Sequence, residues 1–206
     1  MDETFTLLPL HLDPTSKAIT SPNDTTLTPH LSTLHTLHRT LLSLPSQIPP
    51  PPFPTNPKRS AQIQKMRDQG NASFKPKATA HPAQAQAHEA IKLYTYGLEM
   101  ALGRPSWEPS QLVREEASAL FANRAQAYMA VKMWAEGAAD AETSVELKRG
   151  PGNAKAWWRR GKCLVEMGRW EEAGEWVRQA VEVEGEEKEL VELGKEIEAH
   201  FRQVER

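Results

Sequence analysis

The chain contains a single cysteine, Cys163, among 206 residues. An intramolecular disulfide is therefore impossible, and cysteine usage points to a reducing compartment. Long apolar runs are missing too: no stretch approaches the ~20 residues that span a bilayer. Asp2 and Glu3 and the lack of an apolar core nearby argue against a secretory signal. Charge of one sign is absent, since 25 Lys+Arg against 27 Asp+Glu leave a formal net charge of −2. That balance gives no global attraction to nucleic acid or anionic lipid, so any cationic site has to be local. There is no glycine-rich phosphate loop, no Ser/His/Asp ordering and no paired-cysteine motif. His30, His35 and His38 share one segment but have no Cys, Asp or Glu at ligand spacing, which argues against a metal site. No catalytic residue, metal or cofactor is expected, and the chain does not read as an enzyme.

What is present is helix, organised in pairs. In the segment 154–184, AKAWWRRGKCLVEMGRWEEAGEWVRQAVEVE, Trp157, Gly161 and Leu164 fall at i, i+4 and i+7. Ala173, Val177 and Ala180 repeat that spacing on a second helix, with Met167-Gly168-Arg169 as the turn. Small residues at Gly161, Ala173 and Ala180 let two helices approach closely, and Trp157 supplies bulk against the next pair. Cys163 lies inside this pattern and reads as a small buried hydrophobe rather than a reactive thiol.

The large/small arrangement resembles the tetratricopeptide repeat, a unit of roughly 34 residues. Aligning its small eighth position gives Gly70, Ala125 and Gly161. The last two are 36 residues apart, and the turn Gly150-Pro151-Gly152 absorbs the excess. Gly70 and Ala125 are 55 apart, which requires insertions at 75–88 and after Leu102. The expected fold is mainly α. It has helix pairs at 60–74/85–102, 110–131/134–148 and 154–167/170–183, then a capping helix over 186–203. The Glu-rich run into that cap (Glu182, Glu184, Glu186, Glu187, Glu189, Glu192) reads as a solvated face.

Two further zones precede the repeats. Residues 1–44 form a small strand/helix module: a strand over Thr4 to Leu12, an Asp13-Pro14 turn, a short extended stretch at Ala18 to Thr20, and a helix from Thr28 to Leu44. Leu31, Leu34, Leu37, Leu41 and Leu44 stripe one face of that helix. So short a segment cannot bury such a stripe internally, so the stripe is expected to pack on another chain, as a docking face for a partner, or back on the repeats. Residues 45–59 are proline-dense and read as a stiff, extended linker. Pro54-x-x-Pro57 followed by Lys58-Arg59 also fits a proline-domain ligand, but so short a pattern arises easily in any proline-rich stretch. The expected domains are thus 1–44, 45–59 and 60–206.

In a stack of such pairs the first helices line a groove. Their groove positions are Arg67, Asn71 and Phe74, then Asn123, Gln126 and Met129, then Lys155, Trp158, Arg159 and Lys162. This stripe is cationic and amide-rich, with Asp68 its one acidic position. Arg67 and Asn71 (RDQGN), Asn123 (FANR), and Lys155 and Arg159 (KAWWR) resemble the carboxylate clamp of co-chaperone tetratricopeptide domains. Arg67 departs from the usual lysine, which keeps the charge and changes its geometry. The resemblance implies the ligand: the acidic C-terminal tail, Glu-Glu-Val-Asp or similar, of a cytosolic heat-shock chaperone. Fixed cations can pair with the two carboxylates of a terminal aspartate while amides satisfy the remaining lone pairs.

The whole layout resembles the cytosolic tetratricopeptide subunit of the fungal endoplasmic-reticulum Sec post-translational translocon. That resemblance implies a peripheral location on the cytoplasmic face of that membrane and docking to a membrane-anchored Sec subunit, without a membrane span of its own and without nucleic acid. Two other readings fit the residues: a free cytosolic co-chaperone adaptor with the same ligand, and a repeat scaffold that binds an internal peptide.

Overall fold

The computed structural model describes residues 10–21, 27–43, 55, 57–74, 83–148 and 150–204. Two compact units are present: residues 1–55 with 105–108, and residues 56–104 with 109–206.

In the first unit β1 (His11–Leu12) pairs antiparallel with β2 (Ile19–Thr20), His11 opposite Thr20 and Leu12 opposite Ile19. The turn between them is held by Asp13. Its Oδ1 accepts from the backbone N–H of Thr15 and Ser16, and Lys17 takes a left-handed φ of 57°. Such Asx geometry is what an Asp-Pro turn supplies. The expected strand over Thr4 to Leu12 is described only at His11–Leu12, and its earlier residues lie outside the described set. Helix α1 (Thr28–Leu42) packs against β2. Pro29 sits in its first turn, where a missing N–H does no harm. None of its residues is buried, and Leu34 and Leu42 are each 39% exposed. Leu31, Leu37 and Leu41 are half-buried, and Leu44 lies outside the described residues.

The second unit holds seven described helices, each packed on its successor: α2 (Pro57–Phe74), α3 (Ala83–Leu102), α4 (Ser110–Ala130), α5 (Trp134–Lys148), α6 (Ala154–Glu166), α7 (Trp170–Glu184) and α8 (Lys188–Val204). This is the expected series of three pairs and a cap. Three starts differ from expectation, that of α8 by two residues, at Lys188. Helix α2 begins at Pro57, inside the proline-dense segment, because proline is compatible with the first helical turn. Helix α3 begins at Ala83, so the end of the 75–88 insertion is helical and buries Ala87 completely.

The core lies between paired helices. Ile63, Tyr94, Leu98 and Leu120 form one cluster; Leu164, Val177, Leu193 and Ile197 form another. Each fully buried leucine contributes about 1.5–3 kcal/mol. Close approach depends on the small positions. A Cβ on Gly70 would lie 2.5 Å from the Tyr94 ring, and one on Gly161 would lie 2.9 Å from Leu193 and 3.0 Å from Val177. Cys163 is fully buried, and burial pushes its thiol up to about 12, so it is unreactive filler. A buried ion pair joins the second repeat. Arg124 donates Nε and Nη2 to the two carboxylate oxygens of Asp140, at 2.7 and 2.8 Å, and Nη1 to Thr95 of α3.

Candidate functional site

The first helices of the three pairs touch in sequence, α2 with α4 and α4 with α6. Along their shared face runs a cleft of about 940 Å³. Arg67 and Asn71 reach it from α2, Asn123 and Gln126 from α4, and Lys155 and Arg159 from α6. All five residues of the clamp pattern therefore line one cavity, although they come from helices up to 92 positions apart in sequence. The floor is made of Ala119 and Ala122, small enough to leave room above the α4 backbone.

The amides are tied into a chain. Tyr94 donates its hydroxyl to Asn71 Oδ1 at 2.7 Å, and Asn123 Nδ2 donates to the same oxygen at 3.0 Å. This leaves the Asn71 amide N–H₂ and the Asn123 carbonyl oriented by the network. Neither asparagine caps a helix; both sit inside helices, where asparagine is a poor former, and both are fixed across the α2–α4 contact. Tyr94 is 2% exposed, and burial pushes its hydroxyl up to about 12, so it stays a donor at neutral pH.

The cations differ from one another. Arg159 is 8% exposed and donates Nη1 to the Ala122 carbonyl and Nη2 to Gln126 Oε1, both at 2.8 Å. Burial lowers its pKa, with the nearby Tyr94 and Glu189 opposing that shift. Arg67 is half-buried and Lys155 exposed, and neither makes an ion pair or side-chain hydrogen bond among the described residues. The cleft thus holds one anchored guanidinium, two unengaged cations, and Lys188 at the start of α8, whose Nζ lies 3.8 Å from Glu192.

Four of the ten groove positions read from the sequence fall elsewhere. Phe74 packs against the core cluster that contains Tyr94 and Leu98. Met129 points at the start of α5, with Cγ 3.5 Å from where a Cβ on Gly137 would sit. Trp158 and Lys162 line a separate, smaller cleft with α8, and Lys162 is engaged there by Glu196 and Glu166. The expected scarcity of acid in the groove also needs correction. Asp68 is exposed and held by Gln64, but Glu184, Glu187 and Glu189 line the cleft from the α7 end and the start of α8. Glu184 is spent on structure, accepting the backbone N–H of Gly152 and Asn153 at 2.6 and 2.8 Å. Reading only the first helices missed these carboxylates, because they enter from the neighbouring second helix and the cap. Among the described residues no His/Cys/Asp/Glu group could hold a metal ion, and no helix is long and apolar enough to cross a membrane.

No protein-family model matches the chain. Over 136 residues it is 40% identical to the ER protein translocation subcomplex subunit sec67 of Schizosaccharomyces pombe, covering 65% of this chain and 66% of that protein. The match spans just under two thirds of that relative's length. Among solved structures, a chain of the Sec complex of S. cerevisiae superposes with a TM-score of 0.67 at 20% identity, over 95% of this chain and 99% of that one. The second tetratricopeptide domain of human RPAP3, solved with the HSP70 peptide SGPTIEEVD, superposes with a TM-score of 0.53 at 23% identity, over 68% of this chain and 98% of that domain. At these identities the two structures speak to fold. Stacked helix pairs and the capping helix thus give the chain the tetratricopeptide-repeat fold, and over 136 residues its sequence is similar to the endoplasmic-reticulum translocation subcomplex subunit sec67 of S. pombe.

Proposed function

We infer that this protein is a subunit of the endoplasmic-reticulum Sec translocation complex that receives cytosolic heat-shock chaperones by binding their acidic C-terminal tails. The observation that carries the reading is the convergence of Arg67, Asn71, Asn123, Lys155 and Arg159 on one cleft. A chain terminus ending in aspartate offers two carboxylates, and this cleft offers unengaged cations on two walls with oriented amides between them. The sequence likeness to sec67 supports the translocation setting, and the peptide-bound RPAP3 domain supports the use of this fold for such a ligand. A short tail held by a few partly solvated charges binds near the micromolar range, about −8 kcal/mol.

Residues 1–44 are the docking module in this reading, with the α1 leucines against a membrane-anchored Sec subunit and the repeat domain held at the cytoplasmic face. The exposed Leu34 and Leu42 support this. The binding experiment is calorimetry with a synthetic Glu-Glu-Val-Asp peptide as free acid and as C-terminal amide. Tight dependence on the free acid is expected. Equal affinity for both forms would instead favour a scaffold that binds internal peptides. Co-purification of a membrane-anchored partner that depends on residues 1–44 tests the translocon setting against a free cytosolic adaptor.

A further inference from the structure

Beside the main cleft, and sharing Ala119 and Asn153 with it, lies a second cleft of about 390 Å³. Arg114 reaches it from α4 and Lys148 from the end of α5. Neither cation makes an ion pair among the described residues; Lys148 Nζ touches only the Gly152 carbonyl. The single carboxylate in the lining, Glu115, accepts from Gln111 Nε2 at 2.9 Å. Arg114 is available because α4 starts at Ser110, well before the repeat's first groove residue Asn123. The early start extends the cleft wall by two turns of helix.

Carboxylates also line the main cleft, and one of them, Glu184, accepts the backbone N–H groups of Gly152 and Asn153. Glu187 and Glu189 stand exposed at the start of α8, with the exposed Lys188 between them in the same lining. A bound acidic tail meets mixed charge at the start of α8, and in the neighbouring cleft two cations beside one carboxylate that is already bonded to Gln111. Ala119 and Asn153 line both cavities, so the two clefts adjoin there. We propose that the tail leaves the main cleft across Ala119 and Asn153 and places an upstream carboxylate between Arg114 and Lys148, a second anion subsite. The inference rests on the clamp reading and adds a ligand class to it: C-terminal peptides with acidic residues upstream of the terminal four. Such a subsite discriminates among tails that share the same last residues, because the clamp itself reads only the terminus.

The test uses the full chain and three peptides: the tetrapeptide Glu-Glu-Val-Asp, a nonapeptide ending in it with glutamates upstream, and the same nonapeptide with glutamines upstream. Wild-type protein should bind the glutamate nonapeptide about 5-fold more tightly than the glutamine one. Arg114→Gln should remove that preference and leave tetrapeptide affinity unchanged. Persistence of the preference in Arg114→Gln overturns the subsite, as does an equal loss of affinity for all three peptides. C-terminal amidation separates the two levels. If amidation abolishes binding while Arg114→Gln does nothing, the subsite alone fails; if amidation has no effect, the clamp reading falls and takes the subsite with it.

Discussion

Replacing Arg159 should damage both binding and the fold, whereas replacing Lys155 should damage binding alone. From the sequence both belong to a solvated groove, and removing both should leave the melt nearly unchanged. The structure revises that expectation for Arg159, which is 8% exposed and bridges α6 to α4 through Ala122 O and Gln126 Oε1. A hydrogen bond from a charged donor contributes roughly 1.5–3 kcal/mol. Here the freed Ala122 carbonyl keeps its partner in the helix ladder and the exposed Gln126 amide turns to water, so no orphan penalty is added. Arg159→Ala should therefore destabilise by about 2 kcal/mol, which lowers the melting temperature by roughly 4–8 °C for a domain of this size. Lys155→Ala should melt within about 2 °C of wild type, consistent with the about ±0.5 kcal/mol typical of surface changes. Each substitution should weaken a Glu-Glu-Val-Asp peptide, and Arg159→Lys should recover only part of both losses, since an ammonium cannot reproduce the planar fork. Thermal melts and titration calorimetry on the three variants read these numbers directly. An Arg159→Ala protein that melts with wild type would refute the docking of α6 on α4, and with it the geometry of the cleft.

Tyr94 provides a pH signature. Its folded pKa is raised from 10.0 to about 12, so its contribution to stability is complete below pH 10 and is lost as pH rises through about 12. Tyr94→Phe should lose about 1 kcal/mol at neutral pH and show a shallower alkaline fall; superimposable alkaline profiles would exclude the buried donor. Asp140→Ala removes the partner of the half-buried Arg124, which keeps only Thr95, and should destabilise by about 2–3 kcal/mol, read by chemical denaturation. Asn71→Ala breaks the link to Tyr94 and Asn123 and should weaken tail binding in calorimetry, with a gain in stability at unaltered affinity marking it as a neutral surface residue. Charging Leu34 and Leu41 to aspartate should release the protein from the membrane fraction while tail affinity stays intact. An earlier melt with unchanged fractionation would mean that the stripe packs within the chain itself.

The helix pairs were legible because their signal is local. Apolar spacing near 3.6, small residues at Gly70, Ala125 and Gly161, and turn glycines are set by neighbours a few positions away. The same locality made the clamp pattern readable: Lys155 and Arg159 are i and i+4 on one helix, and Asn71 and Asn123 hold equivalent places in their repeats. Which side chains of each stripe enter the cleft was a tertiary decision. Phe74 lies one turn beyond Asn71, yet α3 packs across that end of α2 and draws the ring into the core. Trp158 and Lys162 turn to α8, whose position no spacing within α6 reveals. The carboxylates of Glu187 and Glu189, and the anchoring of Arg159 to a carbonyl 37 residues away, arise from contacts between distant helices. Composition and periodicity thus determined a repeat protein with a cationic, amide-rich stripe. Only the packing of α4, α6 and α8 against one another decided which cations stand unengaged, which serve the fold, and which carboxylates enter the cleft beside them.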